Sequence, residues 1–146
     1  MSKTFGESEP GAKAVTPSKI ITQSELELFC AITGTSLPLF LSEAGAREGG
    51  WQKRLIPATY TYPCSVGLIM QTGVLDDVIA CLGADEMKAF SPVYVGDSIH
   101  VEVELLSKRL TRAGDKGVIE YQWNTINQEG KTVAQGKMTE MYRLKA

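Results

Sequence analysis

Histidine is almost missing from this chain: His100 is the only one in 146 residues. It lies in DSIHVEVEL, where Ile99, Val101, Val103 and Leu105 alternate with Ser98, His100, Glu102 and Glu104. Period two puts the imidazole on the polar face of a strand. A Ser-His-Asp triad, a Cys-His pair and a tetrahedral zinc site are all disfavoured by this shortage. Cysteine is also scarce. Cys30, Cys64 and Cys81 are odd in number and form no C-x-x-C pair, so they read as small buried apolar residues. No apolar run approaches the roughly 20 residues that cross a bilayer. The opening MSKTFGESEPGAKA lacks the apolar core of a secretory signal, which makes the expected location cytoplasmic. Positive charge is scattered along a chain of net charge −2, which disfavours nucleic acid and anionic membrane as partners.

What is present suits one folded domain: 43% apolar and 22% charged residues. Residues 1–17 mix Gly, Ser, Pro, Glu and Lys without apolar periodicity and read as a flexible N-terminal arm, leaving 18–146 as the domain. Thr22 and Glu25 form a T-x-x-E capping box. Behind it Leu26, Phe29, Cys30 and Thr33 make a helical stripe, widened by Leu28 and Ile32 and stopped at Gly34. An unusually apolar turn, Leu37-Pro38-Leu39-Phe40, leads into a short helix from Ser42 to Gly49-Gly50. The nearly uncharged segment 60–83 predicts one long buried helix and a shorter one after Gly73. From Met87 onward, apolar and polar residues alternate in four segments, separated by turns at Val95-Gly96-Asp97, Ala113-Gly114-Asp115 and Gln128-Glu129-Gly130. Helices followed by strands give an α+β class: a single hotdog domain, an antiparallel sheet wrapped around a long central helix. Its exposed sheet edge calls for pairing, so a two-fold dimer is expected.

The segments ITQSELELFCAITG, PLFLSEAGAR, RLIPATY, FSPVYVGDSI and NQEGKTVAQG resemble, in order and spacing, the MaoC-like hydratase/dehydratase family over about residues 18–143. The resemblance implies an acyl thioester of coenzyme A or acyl carrier protein as substrate or ligand, no separate cofactor, and water added to or removed from a 2,3 double bond. It also implies pockets at the interface of a homodimer, or of a heterodimer with another MaoC-like subunit. Active members carry G-D-x-N-P-x-H after the first helix. Here Gly34 and Pro38 match, but the aspartate falls on Thr35, the asparagine on Leu37 and the histidine on Phe40. A second motif, I-x-H-G, falls on Ile56, Pro57, Ala58 and Thr59, again without its histidine and glycine. The R-L-I-P-A-T-Y variant resembles halves and subunits that lack the acid-base pair and accompany a catalytic partner.

Neither Thr35 nor Phe40 can titrate near neutrality, so hydratase activity by this chain alone is not expected. The turn is expected to face inward, with Leu37, Phe40, Ala58, Thr59 and Tyr60 lining an acyl site and backbone N–H groups at Thr59-Tyr60 holding the thioester carbonyl. Arg54, beside Lys53, is placed where a coenzyme A phosphate passes, or else in a solvated charged pair. Tyr60 and Glu43 are the candidates for a rebuilt acid-base site, in which case the chain is itself a hydratase or a thioesterase. Ordinary packing for Tyr60 and an exposed helix surface for Glu43 and Glu48 compete with that role. Phe40 and Leu37 could equally close an unused pocket in a dimer that binds no thioester. Trp51 and Trp123 read as core or interface anchors. Gln71, Asp76 and Asp77 invite comparison with hotdog thioesterases, but the two aspartates lie beyond Gly73.

Overall fold

The structure, a computed structural model, describes residues 4–144. Two short strands, β1 (Lys13–Val15) and β2 (Lys19–Ile20), precede α1 (Gln23–Thr33), α2 (Pro38–Leu41), α3 (Glu43–Glu48) and α4 (Ala58–Gln71). Then come β3 (Val78–Ala89), β4 (Ser98–Leu110), β5 (Lys116–Asn127) and β6 (Thr132–Arg143). The strands form one antiparallel sheet in the order β1-β4-β5-β6-β3, with β2 also on β4. The sheet closes around α4 as the hotdog arrangement requires. Thr61, Ser65, Leu68 and Ile69 of that helix are buried, and Leu68 and Ile69 join Val101, Val103, Leu105, Tyr121, Trp123, Met138 and Tyr142 of the strands in a continuous core.

Local chemistry sets the boundaries. The capping box at Thr22 and Glu25 is formed, and Gly34 ends α1 in the left-handed region at φ 71°, where a side chain would be strained. Leu26 and Cys30 carry the buried stripe of α1, whereas Leu28 and Ile32 are exposed. Helix α4 has no side-chain cap; it starts at Pro57 and contains Pro63, which removes the helical bond to the Thr59 carbonyl. On its buried side the Ser65 hydroxyl pairs with that of Thr125 on β5 at 2.6 Å.

Two expectations are corrected. No second helix follows Gly73: residues 72–77 turn, and Val78 begins β3, paired with β6. The run hid its strand because β3 is largely exposed, so no clean inward-outward alternation marks it. The arm, in turn, is laid on the sheet in its described part. Lys13, Ala14 and Val15 pair with Glu104, Val103 and Glu102, the Thr16 hydroxyl accepts the Val101 N–H, and Phe5 packs on the core. Polar composition there reflects a short edge strand. Residues 1–3 of the expected arm, and 145–146 at the other end, lie outside the described residues.

Candidate functional site

The apolar turn and the segment entering α4 are tied together by backbone. Leu55 N–H donates to the Leu39 carbonyl, Ile56 N–H to Val93 and Val95 N–H to Arg54. Arg54, only 6% exposed, locks the join: its Nε donates to the Phe40 carbonyl at 2.7 Å and its Nη1 to Glu27 Oε1 at 3.2 Å. The expected solvated pair is therefore a buried tie, and this guanidinium faces protein partners. Phe40 packs partly buried against the core. Leu37 does not follow it inward; it is 56% exposed, and Leu41 is exposed too. An extended Leu37 followed by the short Pro38–Leu41 helix turns only part of this apolar run toward the interior. The Thr35 hydroxyl is shared with that of Thr33 at 2.8 Å.

Four of the expected site residues line concavities, in two groups. Thr35 and Arg54 share a shallow concavity of about 340 Å³ with Glu27, Cys30 and Leu41. Ala58 and Thr59 line a separate cavity of about 290 Å³ with Tyr62, Met87, Trp123 and Ala134. Ala58 also borders a third, about 270 Å³, beside Trp51 and Phe90. At the start of α4, Tyr60 N–H donates to the Pro57 carbonyl at 2.9 Å, as does Thr61 N–H at 3.1 Å, and the first-turn residues that line the cavity are Ala58 and Thr59.

Tyr60 is committed elsewhere. Its hydroxyl donates to Glu25 Oε1 at 2.6 Å, an oxygen that Lys19 also reaches at 3.0 Å. Burial, then Cys64 and Glu25, push the phenol well above its ordinary range, which makes it a poor proton donor. Burial would raise Glu25, but hydrogen bonds from Tyr60, Lys19 and Thr22 outweigh it and lower the carboxyl to about 2. Glu43 lies exposed in the first turn of α3. Neither therefore stands as an acid or base over the Ala58-Thr59 cavity.

The two most recognisable motifs prove to be turn chemistry. Asp97 accepts the Tyr94 N–H at 2.9 Å and the Gln128 amide at 3.0 Å; Asn127 Oδ1 accepts the N–H groups of Glu129 and Lys131. These two turns, joined through Gln128, hold the loop that carries Val93 and Val95 against the α4 entrance.

The sequence profile described as MaoC like domain matches residues 6–127. The chain belongs to the MaoC-like family. It is 28% identical over 109 residues to Protein MaoC of Klebsiella aerogenes, a match covering 75% of this chain but 32% of that protein; the chain thus spans about a third of the length of this relative. Among solved structures, the monoamine oxidase regulatory protein of Archaeoglobus fulgius superimposes with a TM-score of 0.90 at 21% identity, covering 98% of this chain and 95% of that one. The truncated HadBC (3R-hydroxyacyl-ACP dehydratase) complex of Mycobacterium tuberculosis gives 0.78 at 20% identity, covering 90% and 96%. Both likenesses concern the hotdog fold.

Two groups on the inner surface of this MaoC-like chain were not singled out from sequence as site residues. The Trp123 indole, 1% exposed, borders the Ala58-Thr59 cavity, and its Nε1 has no hydrogen-bond partner among the described residues. Glu140 of β6 is 5% exposed, and its Oε2 is likewise without a partner. The signal for Glu140 was available: it stands in phase with Met138 and Tyr142, on the inward side of its strand.

Proposed function

We propose that this chain binds an acyl thioester at the start of α4 and does not hydrate or dehydrate it unaided. The observation that carries this reading is the content of the catalytic turn: a Thr35 hydroxyl shared with Thr33 and a Phe40 ring packed on the core. General acid-base catalysis contributes about 10²–10⁴ in rate, and neither residue can serve as acid or base at neutral pH. Carbonyl polarisation does not need those side chains. Ala58 and Thr59, whose N–H groups stand at the positive end of α4, and Trp123, whose buried Nε1 has no partner among the described residues, line one cavity, which suits a thioester oxygen. Thr59, exposed in place of glycine, narrows the approach.

In this reading the chain is the companion of a catalytic MaoC-like subunit, to which it contributes an acyl channel. A complex such as HadBC supports the idea that this fold assembles from more than one chain. A calorimetric titration of the purified chain with crotonyl-CoA and longer acyl-CoAs tests the binding half. Saturable binding that weakens several-fold in Trp123→Phe is expected; absence of binding across the panel would overturn it. Affinity capture with the tagged chain tests the companion half: a MaoC-like subunit should co-purify, with hydration activity appearing only in the mixture.

A further inference from the structure

Tyr62 belongs to two cavities, and the second lies outside the thioester site. It holds about 560 Å³ between Tyr62, Val66 and Met70 of α4, Ile79 and Cys81 of β3, and Glu140 of β6. Ala58, Tyr62, Val66 and Met70 recur every four residues, so both cavities follow one face of the helix. Ala58 to Met70 spans about 18 Å at the helical rise.

Glu140 is the anomaly in this second cavity. Cys81, its register partner across the strands, directs its thiol to the Gly83 carbonyl at 3.8 Å, and burial raises the Glu140 carboxyl more than the neighbouring thiol lowers it. Among the described residues Oε2 has no hydrogen-bond partner, and the polar side chains that line the space with it are Tyr62 and Asp76, with no Lys or Arg. A buried polar atom without a partner is costly, which is the condition a ligand group can relieve.

We propose that Glu140 recognises a hydroxyl carried on the acyl chain well beyond the thioester, so that the protein selects hydroxylated acyl groups over plain ones. The inference rests on the thioester reading above and adds a substrate class to it. Hydrocarbon alone would leave Oε2 unpaired, and a second carboxylate would be repelled. An ammonium group would be drawn by Glu140 and Asp76, but would surrender its hydration to a lining whose remaining side chains are mostly apolar. A hydroxyl can donate to the ionised carboxylate and accept from the protonated acid. With the carbonyl at Ala58 and Thr59, the stretch of α4 from Tyr62 to Met70 that lines the cavity lies on the order of 6 to 18 Å further along the helix.

The test compares dodecanoyl-CoA with its terminally hydroxylated counterpart by calorimetry. Wild-type protein should bind the hydroxylated chain about tenfold more tightly, as one charge-assisted hydrogen bond allows. Glu140→Leu should abolish the preference, and Glu140→Gln, the isosteric control, should keep part of it. Equal affinities in the wild type, or a preference that survives Glu140→Leu, would overturn the proposal. If neither thioester binds, the thioester reading fails by itself and a probe without coenzyme A decides the question at Glu140. Titrating 1-octanol into protein with carbon-13-labelled glutamate should shift one carboxyl resonance that Glu140→Gln removes, and an unmoved resonance would sink the site.

Discussion

At the scale of single residues, Thr35 and Phe40 carry the proposed loss of acid-base chemistry, while Arg54 and Glu25 show what holds the region together. Replacing Arg54 by Met keeps bulk but strips the Phe40 carbonyl of its donor. An unpaired buried acceptor of this kind costs about 1–3 kcal/mol, and urea unfolding of Arg54→Met should register a loss in that range. Glu25 makes a pH prediction. Its carboxyl, at about 2 in the folded protein, would titrate near 4.5 when free. Stability from the Glu25 cluster is therefore fully present above pH 4.5 and fades as pH falls toward 2. Solvent reaches the group and screens it, leaving a contribution of about 1 kcal/mol. Glu25→Gln should lose roughly that at pH 7, and its melting temperature should fall less steeply on acidification. Glu140 runs the other way. Its carboxyl is raised in the folded state, so the fold is penalised as pH climbs past the ordinary carboxylate range. Glu140→Leu should raise the melting temperature at pH 7 and raise it less at pH 4; a lower melting temperature at pH 7 would contradict an orphaned carboxyl.

At the scale of elements, packing between β5 and β6 shapes the cavity beside α4. Gly136 faces Trp123, and a Cβ placed there would overlap the indole ring. Gly136→Ala should therefore destabilise by about 1–3 kcal/mol through overpacking and blue-shift or quench the Trp123 fluorescence relative to wild type. Much of this level was readable from residues. The capping box, the Gly34 stop, the central helix and the last three strands follow directly from spacing and turn residues. The strand β3 was not readable, because periodicity reports burial on one face and this strand exposes most of both. The Trp123 indole and the Glu140 carboxyl line neighbouring cavities that meet at Tyr62; they come from β5, β6 and α4, and only the tertiary fold brings them near one another. What sequence could offer for Glu140 was its inward phase on β6.

At the scale of the molecule, β3 is the end strand of the sheet and carries Ile79, Leu82 and Met87 exposed, with Phe90 just after it. Such an edge is a liability in a free monomer, and a dimer that covers it would also close the cavity lined by Ile79. Sedimentation should find a dimer for the wild type and a shift toward monomer for the pair Ile79→Lys and Leu82→Lys; a stable wild-type monomer at micromolar concentration would contradict this. The central claim is sharper: a family scaffold that grips thioesters, emptied of the groups that move protons. Its most direct test is the hydration rate of crotonyl-CoA with the purified chain at saturating substrate, followed by loss of the enoyl absorbance. The account predicts bound ligand with a rate no greater than that of buffer. Sustained turnover that falls in Tyr60→Phe or Glu43→Gln would contradict it.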